Sequence, residues 1–441
     1  MHNLAIALKQ RGYHVTGSDD QIFEPSRSRL ESYGLLPKSM GWDENTITED
    51  IDVVILGMHA HSDNPELLQA RALSIPIQSY PEFLYHEVKD KNRVVIGGSH
   101  GKTSITSMIL HVTQACGLEC DFMVGAQLEG FECMVSLTKD NSNAIFEGDE
   151  YLSSPLDRRP KFHHYYPNVA VLSGIAWDHI NVFPSFAQYV EQFKIFVDSI
   201  EQGGQLIYYA GDPQLRAIAA KTTHVDLLPY DMHEHVIRDG QTYLLHQGQE
   251  WPCAVFGQHN MQNLEAARLV CASLGISGPA FYHSISTFGG ASKRLEKLGS
   301  HASGHIFTDF AHSPSKLKAT VNALKEQYPS HKLVAVMELH TYSSLNASFL
   351  PQYRGCLKSA DQSVIYYSPK AIALKRLPPV LPDQITEAFG QPDLLVFNQP
   401  EQLEDFLKSL DMDNTNLLLM SSGNFGGVNV KSLLSEIVEM I

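Results

Sequence analysis

The chain has 441 residues, 43% hydrophobic and 19% charged, a globular composition long enough for two or three domains. Lys and Arg number 33 against 49 Asp and Glu, a net charge of −16, and no Lys/Arg cluster forms the basic footprint of a nucleic-acid binder. The six cysteines lack paired CxxC spacing, no apolar run reaches membrane-spanning length and no signal-peptide pattern is present, so the expectation is a cytoplasmic protein with free thiols and no membrane or nucleic-acid partner.

The opening MHNLAIALKQRGYHVTGSDD reads as a helix over 2–11 and a strand over 13–18 that ends in an acidic pair. In a dinucleotide-binding fold that is the second half of a β–α–β unit. The expectation is therefore that a strand and a glycine-rich turn precede Met1 in the natural chain, roughly ten to fifteen residues of it. Further strands are predicted over 52–57, 93–97, 143–149, 168–174, 205–209, 305–310, 332–338, 363–367 and 416–422. Helical patterns over 102–116, 187–200, 260–274, 316–327 and 430–440 alternate with them, which predicts an α/β protein with parallel sheets. Breaks near 89–92 and 299–304 divide the chain into three units, 1–90, 91–297 and 298–441.

Chemistry concentrates at RVVIGGSHGKTSITSMIL, residues 93–110, a strand-to-helix junction. Gly98 and Gly101, with Ser99 and His100 between them, let backbone N–H groups approach phosphate oxygens. Lys102 adds a cation, and Thr103 or Ser104 can reach a magnesium ion at the helix N-terminus. The pattern is G-x-x-G-K-T-S, with Ile96 where the common phosphate loop has its first glycine.

This shortened loop resembles that of the Mur ligase family, and five further segments follow in the family's order. FEGDEY (146–151) is similar to its E-x-D-E, Asp178-His179 to its Asp-His pair, and GQHNMQN (257–263) to its G-x-H-N-x-x-N. KRLE (293–296) resembles R-R-x-E with one arginine kept, and TDFAHSP (308–314) resembles D-D-Y-A-H-H-P with Ser313 replacing a histidine. Two more, LDRRPKFHHYYP (156–167) and SSGNFGG (421–427), are similar to segments of the branch whose acceptor is a murein tripeptide.

The resemblance implies a Rossmann-like first domain without its first strand, a phosphate-loop ATPase domain and a Rossmann-like third domain. It implies an ADP-forming ligase that uses ATP and two magnesium ions to join UDP-N-acetylmuramate to a murein peptide. An L-alanine acceptor, or a nucleotide-binding relative without catalysis, are the alternatives; oligomeric state stays open.

By the same resemblance, Lys102 and Arg294 meet the transferring phosphoryl, and Thr103, Glu147 and His179 hold magnesium. Asn260 and Asn263 reach the adenine, although N-capping is the competing reading. Asp309 and His312 reach the nucleotide from the third unit. Lys194, fifteen residues past His179, is expected to carry a carbamate that binds the second magnesium; the alternative is a lysine on a solvated helix face. Asp19, His59 and Asn64 match the uridine-nucleotide region, where Ser62–Pro65 could equally be a turn and helix cap.

Overall fold

The apolar run Val94-Val95-Ile96 is wholly buried in the computed structural model, which describes residues 1–58, 60–128, 130–177, 182–301 and 303–428. Three consecutive buried residues mean that both faces of their strand are covered, as in a parallel sheet. That strand is the centre of one of two compact units, made of Met1–Trp177, Val182–Asp231 and Glu265–Ser284. The other holds Met232–Leu264 and the described residues from Ile285 onward.

In the first unit β1 (Val54–Leu56) and β2 (Ile77–Ser79) form a parallel pair. A seven-stranded sheet is built from β3 (Asn92–Gly97), β4 (Asp121–Met123), β5 (Val135–Ser136), β6 (Asn143–Glu147), β7 (Val169–Leu172), β8 (Gln205–Tyr209) and β9 (Asp226–Tyr230). Its order is β5-β4-β6-β3-β7-β8-β9, parallel except between β4 and β5. The helices are α1 (His2–Gln10), α2 (Ser26–Ser32), α3 (Pro65–Ala72), α4 (Tyr80–Val88), α5 (Lys102–Ala115), α6 (Phe186–Asp198) and α7 (Pro213–Ala219). Next in the chain come α8 (Gln258–Ser273) and α9 (Gly278–Ile285).

Side chains on both sides of the expected break near residue 90 share one apolar cluster. Leu4, Ala7 and Leu8 of α1 and Phe83, Leu84 and Val88 of α4 belong to one apolar cluster with Val95, Met123, Val135, Phe146, Leu172, Phe193 and Phe196. The strand expected over 13–18 does not form. A strand exists through its pairing, and none of the described residues pairs with this mostly exposed stretch.

The second unit opens with an antiparallel meander, β10 (His235–Arg238), β11 (Gln241–His246) and β12 (Gln249–Cys253). Helix α10 (Pro314–Gln327) ties it down: Thr242 Oγ1 donates to Gln327 Oε1 at 3.0 Å, and Gln327 Nε2 donates to Gly240 O at 2.7 Å. A six-stranded sheet contains β13 (Glu296–His301), β14 (Gly304–Asp309), β15 (Lys332–Leu339), β16 (Gln362–Tyr367), β17 (Leu395–Phe397) and β18 (Thr415–Met420). Its order is β13-β14-β18-β15-β16-β17, and only β13 and β14 run antiparallel.

Side chains alternate across this sheet. Ala335, Met337, Ile365 and Leu418 pack with Leu317, Val321 and Leu324 of α10 and with Ile385 and Phe389 of α12 (Pro382–Phe389), which follows α11 (Pro369–Leu374). Val334, Val336, Val364, Leu417 and Leu419 pack on the other face with Leu403 and Leu407 of α13 (Pro400–Lys408). The segment after β18 goes to that second face through Phe425 and Val428, whereas α10 follows β14 on the first. The neighbouring strands β14 and β18 therefore send their following segments to opposite faces, the kind of position where open α/β sheets bind ligands. Among the described residues no helix is long and apolar enough to cross a membrane.

Candidate active site

The turn from β3 into α5 depends on two left-handed glycines, Gly98 (φ +123°) and Gly101 (φ +78°). A Cβ on Gly98 would stand 2.2 Å from Ser173 Oγ and 2.9 Å from Ser173 N, so no other residue fits there. Gly98, Ser99, His100 and Gly101 thus form a tight loop, and Lys102, Thr103 and Ser104 occupy the first turn of α5.

Lys102 Nζ donates to Gly98 O and to Glu150 Oε2, each at 2.8 Å. Burial disfavours its ammonium, but Glu150, Asp149 and Glu147 outweigh burial and raise its pKa above the ordinary lysine value. Thr103 Oγ1 donates to Glu147 Oε1 at 2.7 Å, and Gly125 N donates to Glu147 Oε2 at 2.8 Å. Glu147 is buried, which with the nearby Asp149 raises its pKa. Neither of those hydrogen-bond partners is charged, so the oxygens of Glu147 and Thr103 suit a hard divalent cation such as magnesium.

Behind the lysine runs a buried hydrogen-bond chain that the sequence reading missed. Tyr189 OH donates to Glu150 Oε1 at 3.0 Å, lies 2.9 Å from Ser99 Oγ, and Ser99 Oγ accepts from Ala176 N at 2.9 Å. Tyr189 has one proton, so Ser99 must donate to Tyr189, and every donor points toward Glu150. Glu150 stood in the quoted FEGDEY segment; Tyr189, on the apolar stripe of α6, carried no polar signal.

Lys194 takes the second of its two expected settings. Tyr189, Phe193, Phe196 and Val197 take the buried face of α6, which turns Lys194 outward. Its side chain is 51% exposed, and Nζ pairs with Glu191 Oε1 at 3.1 Å. In this structure it lies on the solvated face of the helix, the alternative reading of this position. Asp178, His179 and His59 lie outside the described residues. Asp19 is exposed, and Asn64 Oδ1 accepts from Leu67 N at 3.1 Å as the cap of α3.

In the second unit Asn260 and Asn263 are buried within the first two turns of α8, and Asn260 Nδ2 donates to Phe256 O at 2.9 Å. Neither is the cap, since α8 begins at Gln258. Arg294 lies with its guanidinium carbon 4.8 Å from the centre of the Phe310 ring. Asp309, at the end of β14, accepts from Leu295 N and Ala311 N, each at 2.6 Å. Its burial raises its pKa, against the opposing effect of Arg294. His312 Nδ1 is 2.9 Å from Phe310 O.

A strand–glycine loop–helix turn, its lysine amid carboxylates and a buried Thr–Glu pair beside it, defines a phosphate-loop nucleotide protein of the α/β class. Comparison narrows the class. Residues 96–271 match the Mur ligase middle domain, and residues 1–92 match the Mur ligase family catalytic domain. The chain belongs to the Mur ligase family.

It is 27% identical, over 98% of its length and 96% of the relative's, to a UDP-N-acetylmuramate–L-alanyl-γ-D-glutamyl-meso-2,6-diaminoheptandioate ligase of Haemophilus influenzae. It is 28% identical, over 99% and 96%, to a UDP-N-acetylmuramate–L-alanine ligase of Syntrophomonas wolfei. A crystal structure of a murein peptide ligase from Psychrobacter arcticus shares the fold with a TM-score of 0.68 at 22% identity, covering 100% of this chain and 97% of that one.

Proposed function

We propose that this chain is an ATP-dependent, ADP-forming ligase that joins UDP-N-acetylmuramate to L-alanyl-γ-D-glutamyl-meso-diaminopimelate. The observation that carries the reading is the phosphate loop, with Lys102 held at 2.8 Å from Glu150 and Thr103 at 2.7 Å from Glu147. The acceptor follows from LDRRPKFHHYYP and SSGNFGG and from the Haemophilus relative. Residues 1–90, 91–297 and 298–441 serve in this reading as the uridine-nucleotide, ATP and acceptor parts. A reaction on ATP and a uridine nucleotide belongs in the cytoplasm.

A carboxylate oxygen of the muramate attacks the γ-phosphorus of ATP, and the bond to ADP breaks. The peptide amine then attacks the acyl carbon, loses a proton, and phosphate leaves with the C–O electron pair. Lys102 offsets charge on the moving phosphoryl, and loop N–H groups bind the phosphates. Thr103 and Glu147, with His179, would hold magnesium, which supplies charge neutralisation at the phosphates. Arg294 offers a planar fork to the same oxygens.

Phosphate release is expected only with ATP, magnesium, UDP-N-acetylmuramate and tripeptide together. A faster rate with L-alanine moves the chain to the alanine-adding branch. ATP turnover independent of both other substrates leaves it a nucleotide binder.

A further inference from the structure

Arg294 sits between two residues whose backbone is left-handed, Lys293 (φ +55°) and Leu295 (φ +50°). Neither is glycine or asparagine, and for a bulky residue such as leucine this conformation is an outlier. Such backbone persists only where the surroundings over-determine it, and it concentrates at functional sites.

Here the surroundings are two consecutive residues at the end of β14, Asp309 and Phe310. Asp309 Oδ2 accepts from Leu295 N at 2.6 Å, and Phe310 N donates to Lys293 O at 2.9 Å. The Phe310 ring lies 4.8 Å under the guanidinium carbon. Each attachment falls on Arg294 or on a residue beside it. Asp309 is buried, and its other oxygen accepts from Ala311 N at 2.6 Å and Thr320 Oγ1 at 3.4 Å, which anchors the clamp to α10. The turn is further closed by Arg294 N on Ala291 O at 3.0 Å and Lys293 N on Glu296 Oε2 at 2.7 Å.

We propose that Asp309 and Phe310 are positioning residues, which act on the reaction by holding the Arg294 turn and the plane of its guanidinium. The carboxylate of Asp309 faces the turn's own backbone, and the phenyl ring gives the guanidinium a flat seat. A fork fixed in advance needs no reorganisation when charge develops on the phosphoryl group. The inference rests on the reading of Arg294 as a phosphate-binding cation.

The test is a double-mutant cycle on phosphate release by the full chain, with melting curves to check folding. Phe310 is half-buried, so Phe310→Leu keeps an apolar side chain but removes the aromatic face. It is expected to lower kcat about three- to thirty-fold, the range of a cation–π contact, with KM for UDP-N-acetylmuramate unchanged. Arg294→Lys keeps a charge, and so a measurable rate, without a planar group to seat. In that background Phe310→Leu should change kcat less than about twofold.

Asp309→Asn cannot accept from both backbone N–H groups with its amide and should show the same loss and the same dependence on Arg294. Equal losses in both backgrounds would show that Phe310 and Asp309 act on something else and would overturn the proposal. A full rate in Arg294→Lys and in Arg294→Ala would remove the reading of Arg294 itself, and the positioning with it.

Discussion

The hydroxyl of Tyr189 donates across 3.0 Å to the same carboxylate, Glu150, that holds Lys102 at 2.8 Å. Helix α6 is thereby linked to the phosphate loop through side chains that are almost fully buried. Glu150 is the counter-charge of the lysine until a triphosphate arrives. Glu150→Gln leaves a mostly buried cation without its partner and is expected to cost about 3 kcal/mol in denaturant unfolding without nucleotide. Added ATP should recover much of that loss, because its phosphates replace the missing charge. Unfolding curves identical to the parent's, with and without ATP, would refute this account.

Lys194→Ala should keep kcat within about twofold and stability within ~0.5 kcal/mol, since an exposed pair such as Lys194–Glu191 contributes little. Intact mass should show no added carboxyl group. A large rate loss that short carboxylates restore would return Lys194 to the metal site.

His163 provides a pH dependence with a definite sign. Burial lowers its pKa from 6.5 to about 4, and its Nε2 lies 2.8 Å from Gln192 O, which can only accept, so Nε2 carries the proton. The unfolded chain takes up a proton near 6.5 while the folded one resists, so this contribution is complete above 6.5. It is lost as pH falls toward about 4, to a limit of ~3 kcal/mol. His163→Gln keeps a donor for Gln192 O but does not titrate. Its melting temperature should fall less steeply than the parent's across that window; parallel curves would count against the assignment.

Glu338, at the end of β15, holds the SSGNFGG segment (421–427) in place. It accepts from Ser421 Oγ and, at 2.8 Å, from Phe425 N, while His340 Nδ1 lies 3.7 Å from its other oxygen. Burial alone would raise its pKa, but the nearby His340 and hydrogen bonds from Ser421 and Phe425 hold it below the ordinary value. Glu338→Ala should release the 421–425 loop and raise KM for the tripeptide at least about tenfold, with KM for ATP within twofold. Equal rises in both would show a general loss of structure instead.

What the sequence disclosed follows from where each interaction lies along the chain. The central strands of both main sheets were legible as apolar runs, because burial on two faces leaves a mark within each segment, whereas β4, β5, β9, β13 and β17 nearer the edges were not. The phosphate loop was legible because its glycines, lysine and hydroxyl are neighbours. Lys194 was open to a better reading: Tyr189, Phe193, Phe196 and Val197 follow helical spacing and leave position 194 outside. The pairing of Glu150 with Tyr189, 39 residues apart, left no such mark. Nor did the left-handed backbone around Arg294, because lysine and leucine do not announce it. Residues 13–18 look like a strand by composition, and composition does not supply a partner.

The apolar cluster that α1 and α4 share with β3, β4 and β5 bears on how genes of this family could exchange parts. A crossover at residue 90 falls between sequence segments but cuts through a packed interior. A chimera made there would set Leu4, Leu8, Phe83 and Val88 of one parent against Val95, Met123 and Val135 positions chosen in another. Interior packing tolerates few mismatches in volume. A join near residue 231 would likewise mix parents inside the first unit, to which the chain returns over Glu265–Ser284.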